Sequence, residues 1–130
     1  DSGMSIIRAI ALQNATDTAV ATTCGVGTVY DLGAVEDGQT MYAAQHLLTS
    51  SLASNTIQFK VYSSSSSGAG FASAGETLRF TFTANACRAA EWGTPVTGAF
   101  GTCQKFWRTQ WATSCAAIRK ALIVVSRTCT

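Results

Sequence analysis

Short stretches in which apolar and polar residues alternate one by one constrain this chain more than any other feature. Thr56-Ile57-Gln58-Phe59-Lys60-Val61-Tyr62 and Thr77-Leu78-Arg79-Phe80-Thr81-Phe82-Thr83 are the clearest cases. A period of two places Ile57, Phe59 and Val61 on one face of a strand, and Leu78, Phe80 and Phe82 on one face of another. Each segment therefore has one side for a core and one side for water. Similar patterns recur between clusters of Gly, Ser, Thr, Asn and Asp, which is the punctuation of an all-β chain.

Eight strands are predicted, approximately Ser5–Leu12, Thr28–Leu32, Met41–Thr49, Thr56–Tyr62, Thr77–Thr83, Arg88–Trp92, Lys105–Ala112 and Ala121–Arg127. Met41–Leu52 also offers a helical stripe through Ala44, Leu47 and Leu48, and the flanking strand patterns decide for a strand. The single proline, Pro95, falls in the loop after Trp92 and interrupts no strand. Ser63-Ser64-Ser65-Ser66-Ser67-Gly68-Ala69-Gly70 is the one low-complexity run, and a mobile loop over about 63–76 is expected from it. Neither side of that loop has enough strands to stand alone, so residues 1–130 are expected to form a single antiparallel β-sandwich domain.

A chain of 130 residues buries a core without help from metals or disulfides. Its 47% hydrophobic against 12% charged content is high for a small monomer, which points toward burial against copies or partners. The longest apolar run, Ala121-Leu122-Ile123-Val124-Val125, is a strand's length and far short of a membrane helix, so no membrane role is expected. No basic segment followed by a long apolar one opens the sequence, and Met4 is a candidate natural start.

The net charge of +2 conceals a gradient. Residues 1–40 carry Asp1, Asp17, Asp31, Glu36 and Asp37 against Arg8, a net −4, whereas residues 77–130 carry seven cations against Glu91, a net +6. Such a split steers a module head to tail onto another copy only if the two portions stay apart in space; strands that interleave would mix the charges.

Catalytic chemistry is not legible. The sole histidine, His46, has no neighbouring acid or nucleophile; Glu36-Asp37 is a turn facing water; Gly25-Val26-Gly27 lacks the third glycine of a nucleotide loop. No Cys-x-x-Cys pair suggests zinc, and no cofactor or metal is expected. The cations are dispersed rather than interleaved with aromatics, so nucleic acid is not an expected partner. Five cysteines are an odd number. If the strands run alternately up and down, Cys24, Cys87 and Cys115 fall at one end and Cys103 and Cys129 at the other, so a bridge can join Cys103 to Cys129 or two of the other three. A reducing cytosol would instead keep them as free thiols.

In Phe106-Trp107-Arg108-Thr109-Gln110-Trp111, alternation places Trp107 and Trp111 together on a core face and leaves Arg108 and Gln110 to an outer one. The alternative is a sugar-stacking platform built from the two tryptophans.

Thr28-Val29-Tyr30-Asp31-Leu32-Gly33, Thr56–Ser63, Arg79–Ala84, Ala90-Glu91-Trp92, Phe106–Trp111 and the closing Leu122-Ile123-Val124-Val125 together resemble the small β-sandwich virion proteins of tailed bacteriophages. The resemblance covers about residues 28–126 and is closest to capsid decoration, or cement, proteins. It implies a jelly roll, often a homotrimer, on the capsid exterior over junctions of the major capsid protein. Such a protein is made in the host cytoplasm, is not an enzyme, and has no active-site residues to carry over. The contact candidates are then Arg79, Lys105, Arg108 and the acidic turn Glu36-Asp37, and Arg108→Glu is expected to weaken attachment without unfolding the domain. A carbohydrate- or receptor-binding sandwich of a phage tail or secreted enzyme is the alternative.

Overall fold

The computed structural model describes residues 6–13, 24–32, 40–50, 56–66, 76–84, 89–97, 106–113 and 119–129. In them the alternating segments become ten strands: β1 Ile6–Gln13, β2 Cys24–Val26, β3 Tyr30–Asp31, β4 Thr40–Ser50, β5 Ile57–Ser64, β6 Thr77–Thr81, β7 Ala89–Trp92, β8 Val96–Thr97, β9 Phe106–Thr113 and β10 Arg119–Cys129. They form two antiparallel sheets, one in the order β1-β10-β4-β7 with β8 also on β4, the other β2-β9-β5-β6 with β3 also on β9.

The pairing follows one simple scheme. β1 lies on β10, β2 and β3 on β9, β4 on β7 and β8, and β5 on β6. These pairs are nested from the chain ends inward, as in a long antiparallel ribbon whose closed end is the β5–β6 pair. Rolling the ribbon adds the contacts β10–β4 and β5–β9 and yields two sheets of a jelly roll. The acidic and basic portions consequently interleave, since β1, β2 and β3 pair with β10 and β9.

Both of the ribbon's broken strands are broken in the same way. Val26 pairs with Gln110 and Tyr30 with Trp107, so three residues oppose two; Trp92 pairs with Ala44 and Val96 with Met41, again three opposing two. A glycine opens each bulge, and its N–H still donates across the gap, Gly27 to Thr109 O and Gly93 to Ala43 O, both at 2.8 Å. Of the strand predicted as Thr28–Leu32 only β3 forms, and β2, which was not predicted, precedes it across this bulge; Pro95 sits inside the other one. Interrupted edges of this kind resist uncontrolled pairing with other chains.

The core lies between the sheets. Met41, Ala43 and Leu47 of β4, Ile57, Phe59 and Val61 of β5, Trp107 of β9 and Ala121, Ile123 and Val125 of β10 are all buried. Alternation along β4 decides for the strand and against the helix. Trp107 is wholly buried, and Trp111 packs on the same cluster with its ring 6.2 Å from that of Phe59 at 56°. Both tryptophans therefore face inward. Gln45 and Thr109 are the polar residues admitted to this layer beside Ser63 and Ser64.

Two expectations are corrected here. Leu78 does not join Phe80 and Phe82 in the core but is 46% exposed. Val61 pairs with Phe80 and Tyr62 with Leu78, so Arg79 is an extra residue in a bulge that turns Leu78 to the outer face. Ser63 and Ser64 are not loop: they extend β5 opposite Trp107 and Phe106 and are buried. Small hydroxyls suit that position because they accept hydrogen bonds from Arg79 Nε, 2.8 Å from Ser63 Oγ, and from Ser66 N, 3.2 Å from Ser64 Oγ. The rest of the predicted loop up to Glu76 lies, over residues 67–75, outside the described residues.

Trp107→Ala should lower stability by about 3–5 kcal/mol in urea denaturation, because a large cavity would open at the centre of the β9 core face. An unchanged midpoint would mean that the ring is not packed there.

Candidate interaction surfaces

With the core between the sheets, each sheet offers one outer face, and the two differ in chemistry. On the β2-β9-β5-β6 sheet the outer side chains along β5 and β9 are mostly polar, and Val26 of β2 and Leu78 of β6 are exposed apolar residues at its two edges. Arg108 of β9 donates from Nη2 to Glu76 Oε2 at 3.0 Å, and Gln110 donates from Nε2 to the same oxygen at 2.9 Å. Gln58 donates from Nε2 to Phe82 O at 3.1 Å, fastening the end of β6 to β5. Beside them Gln58, Lys60, Tyr62, Gln110, Trp111 and Ala112 line a shallow groove of about 230 Å³.

The outer face of the β1-β10-β4-β7 sheet is apolar. Register places Ala11, Val124, Ala44 and Trp92 in one row across four strands, with Leu122, His46 and Ala90 in the next row and Ser126 and Tyr42 in the row on the other side. None of the described side chains in these rows carries a carboxylate, ammonium or guanidinium. Ala43, Ala44, His46, Trp92, Leu122, Val124 and Ser126 line a groove of about 310 Å³. Trp92 stands at its rim and is 80% exposed.

That ring is held in place from its own strand. Gly93 follows Trp92 with its N–H bonded to Ala43 O, and a Cβ at Gly93 would lie 2.8 Å from Phe80 Cδ1 of the opposite sheet. Only glycine lets the end of β7 press against Phe80, which closes the side of the sandwich. Glu91, one residue before, accepts from Thr83 N at 3.0 Å and 3.2 Å through its two oxygens. Trp92 thus projects from a short strand fastened on both sides. Sequence reasoning missed it as an exposed residue, because Ala89-Ala90-Glu91-Trp92 has no alternation that assigns a face.

The charged residues singled out from the sequence have separate fates. Arg108 does occupy an outer position, but its side chain is only 13% exposed and is paired to Glu76. Arg79 is half-buried, bonded to Ser63, and burial pushes its pKa below the usual guanidinium value. Glu36, Asp37 and Lys105 lie outside the described residues, as do Cys87, Cys103 and Cys115. The proposed Cys103–Cys129 bridge therefore lies outside them too; of Cys129 the structure describes the backbone, paired with Ile6. His46 is exposed, with Leu122 on one side and Ala90 on the other. Among the described residues no three His, Cys, Asp or Glu side chains are grouped to hold a metal ion. No helix of the described residues is long and apolar enough to cross a membrane.

The sequence matches no protein-family model and no curated protein. Its fold does match solved structures. A protein in the structure of the infectious bursal disease virus Gx strain aligns with a TM-score of 0.60 at 9% identity, over 98% of this chain and 32% of that one. The VP2 subviral particle of infectious bursal disease virus gives 0.53 at 11% identity, over 98% of this chain and 33% of that one. The likeness is one of fold. This chain is an all-β jelly-roll sandwich of the kind found in those viral structures, and it spans about a third of the length of those two proteins.

The Arg108–Glu76 pair yields a test that revises the tolerance expected at this position. Arg108→Glu would set two carboxylates against each other at a largely buried site, so it should cost about 1–3 kcal/mol in urea denaturation. The exchanged pair Arg108→Glu with Glu76→Arg should recover part of that loss. A single variant as stable as the parent would show that the pair contributes nothing.

Proposed function

We propose that this chain is a non-enzymatic structural protein of a bacteriophage virion, a decoration or cement protein. It binds on the capsid exterior over junctions between subunits of the major capsid protein and stabilises the head. It is made in the host cytoplasm and acts as a homo-oligomer.

One observation carries this reading: a jelly-roll sandwich presents an apolar outer sheet face, uncharged in its described rows, with an exposed tryptophan fixed at its rim. An apolar face of this extent on a small domain is suited to lasting contact with protein, not to catalysis. The sequence resemblance to phage virion proteins and the fold shared with the two viral structures support the same reading. The glycan-binding alternative needs Trp107 and Trp111 exposed together, whereas Trp107 is wholly buried and Trp111 is partly buried against the core.

In this reading Glu36, Asp37 and Lys105 supply polar contacts to the shell, each weak alone and multiplied over the many symmetry-related sites. Arg79 and Arg108 act indirectly, Arg79 by holding the end of β5 through buried Ser63 and Arg108 by fixing the polar outer face through Glu76.

The purified chain, mixed with shells assembled from the major capsid protein alone, should cosediment to a saturating stoichiometry. It should also raise the temperature at which the shells come apart, and added salt should weaken the attachment. Shells that neither bind the chain nor gain stability at low salt would sink the proposal.

A further inference from the structure

The apolar face carries both halves of a contact. Trp92 projects from it as a large exposed ring, and directly beside that ring lies the groove of about 310 Å³ floored by Ala44, Val124 and Leu122. A projection and a hollow side by side on one surface match each other when a second copy is turned by a two-fold axis. Trp92 of each copy then enters the groove of the other.

We infer that this face is the contact between two copies of the chain, joined as an isologous dimer through reciprocal insertion of Trp92. The inference rests on the structural reading above for its setting and names the partner of that face. It also departs from the trimer that the sequence resemblance implies. A three-fold ring needs two different, complementary patches, whereas here one patch supplies both parts.

Charge argues for the same occupant. Self-pairing sets every side chain against a copy of its own surface, so any charge near the axis would repel its mate. The described rows through Ala11, Val124, Ala44 and Trp92, and through Leu122, His46 and Ala90, hold no acidic side chain, lysine or arginine. The opposite sheet presents Lys60 and the Arg108–Glu76 pair on its outer face and would not tolerate such apposition as well.

Area sets the strength. Four strands spaced about 4.8 Å apart and about six residues long give a patch of about 400 Å² per copy. Two such patches bury less than the roughly 1,200–2,000 Å² of a standard stable interface. The dimer is therefore weak in dilute solution and is reinforced where many copies are held close together.

The test uses the full chain in sedimentation velocity from about 10 μM to about 1 mM, a range that brackets a weak complex. The expected result is a mass rising from 13.6 kDa toward twice that value. Tryptophan emission should shift to the blue with it, because Trp92 is 80% exposed while Trp107 is buried and Trp111 packs against the core. Trp92→Ser, which removes the projection, and Ala44→Arg, which puts a charge in the hollow, should each keep the chain monomeric with an unchanged melting temperature. A chain that stays monomeric throughout, a trimeric mass, or a folded Trp92→Ser variant that still dimerises would each overturn the inference. Shell cosedimentation of the same variants separates the two proposals. A monomeric parent whose shell binding is lost with Trp92→Ser means that capsid protein covers this face, so the dimer fails and the virion reading stands. A dimeric parent that ignores shells means the reverse.

Discussion

The apolar layer between the two sheets is the interaction on which the rest of this molecule depends. Among the described residues only β5 and β6 pair as consecutive strands; β1 must find β10, and β2 and β3 must find β9. Such distant partners are brought together at a large cost in chain entropy, and the hydrogen-bond ladders alone contribute too little to offset it. Burial of Trp107, Phe59, Phe82, Leu12, Met41, Ile57 and Ile123 supplies the difference, each large side chain contributing about 1.5–3 kcal/mol. A topology so rich in distant pairings is also expected to fold slowly.

Once that layer is filled, strand alternation leaves each sheet with an outward face of independent composition. The β5–β9 face has polar groups tied together through Glu76, with Val26 and Leu78 exposed at its edges. The β4–β10 face presents Ala44, Leu122 and Val124 to water around an exposed Trp92. That asymmetry is the main contrast between the two described faces. It gives a small rigid domain one side to be covered and one side to remain wet.

Glycine and bulges set where the functional side chains point. Gly93 lets β7 approach Phe80 so closely that Trp92 has a fixed exit from the sheet. The bulge at Arg79 turns Leu78 outward and brings the guanidinium to Ser63, which converts a residue read as an outward contact into part of the chain's own polar structure. The bulges at Gly27 and Gly93 interrupt two edge strands in the same manner, which blunts those edges against pairing with other chains.

Local periodicity made the clearest strands legible: Ile57, Phe59 and Val61, and Trp107 with Trp111, can be assigned to a face from sequence, because a period of two is a property of neighbouring residues. The sheet order, the short β2 and β8, the burial of Ser63 and Ser64 and the exposure of Leu78 could not, since each depends on a partner far along the chain or on one extra residue in a ladder. Charge behaves in the same way. The sequence by itself determined that this is an all-β chain with a strong apolar core and that Arg108 lies on an outer strand face. Only the tertiary structure decided that Arg108 is held by Glu76 from a distant segment and that Trp92 stands in the open, because pairing and exposure are set by the neighbours that folding supplies.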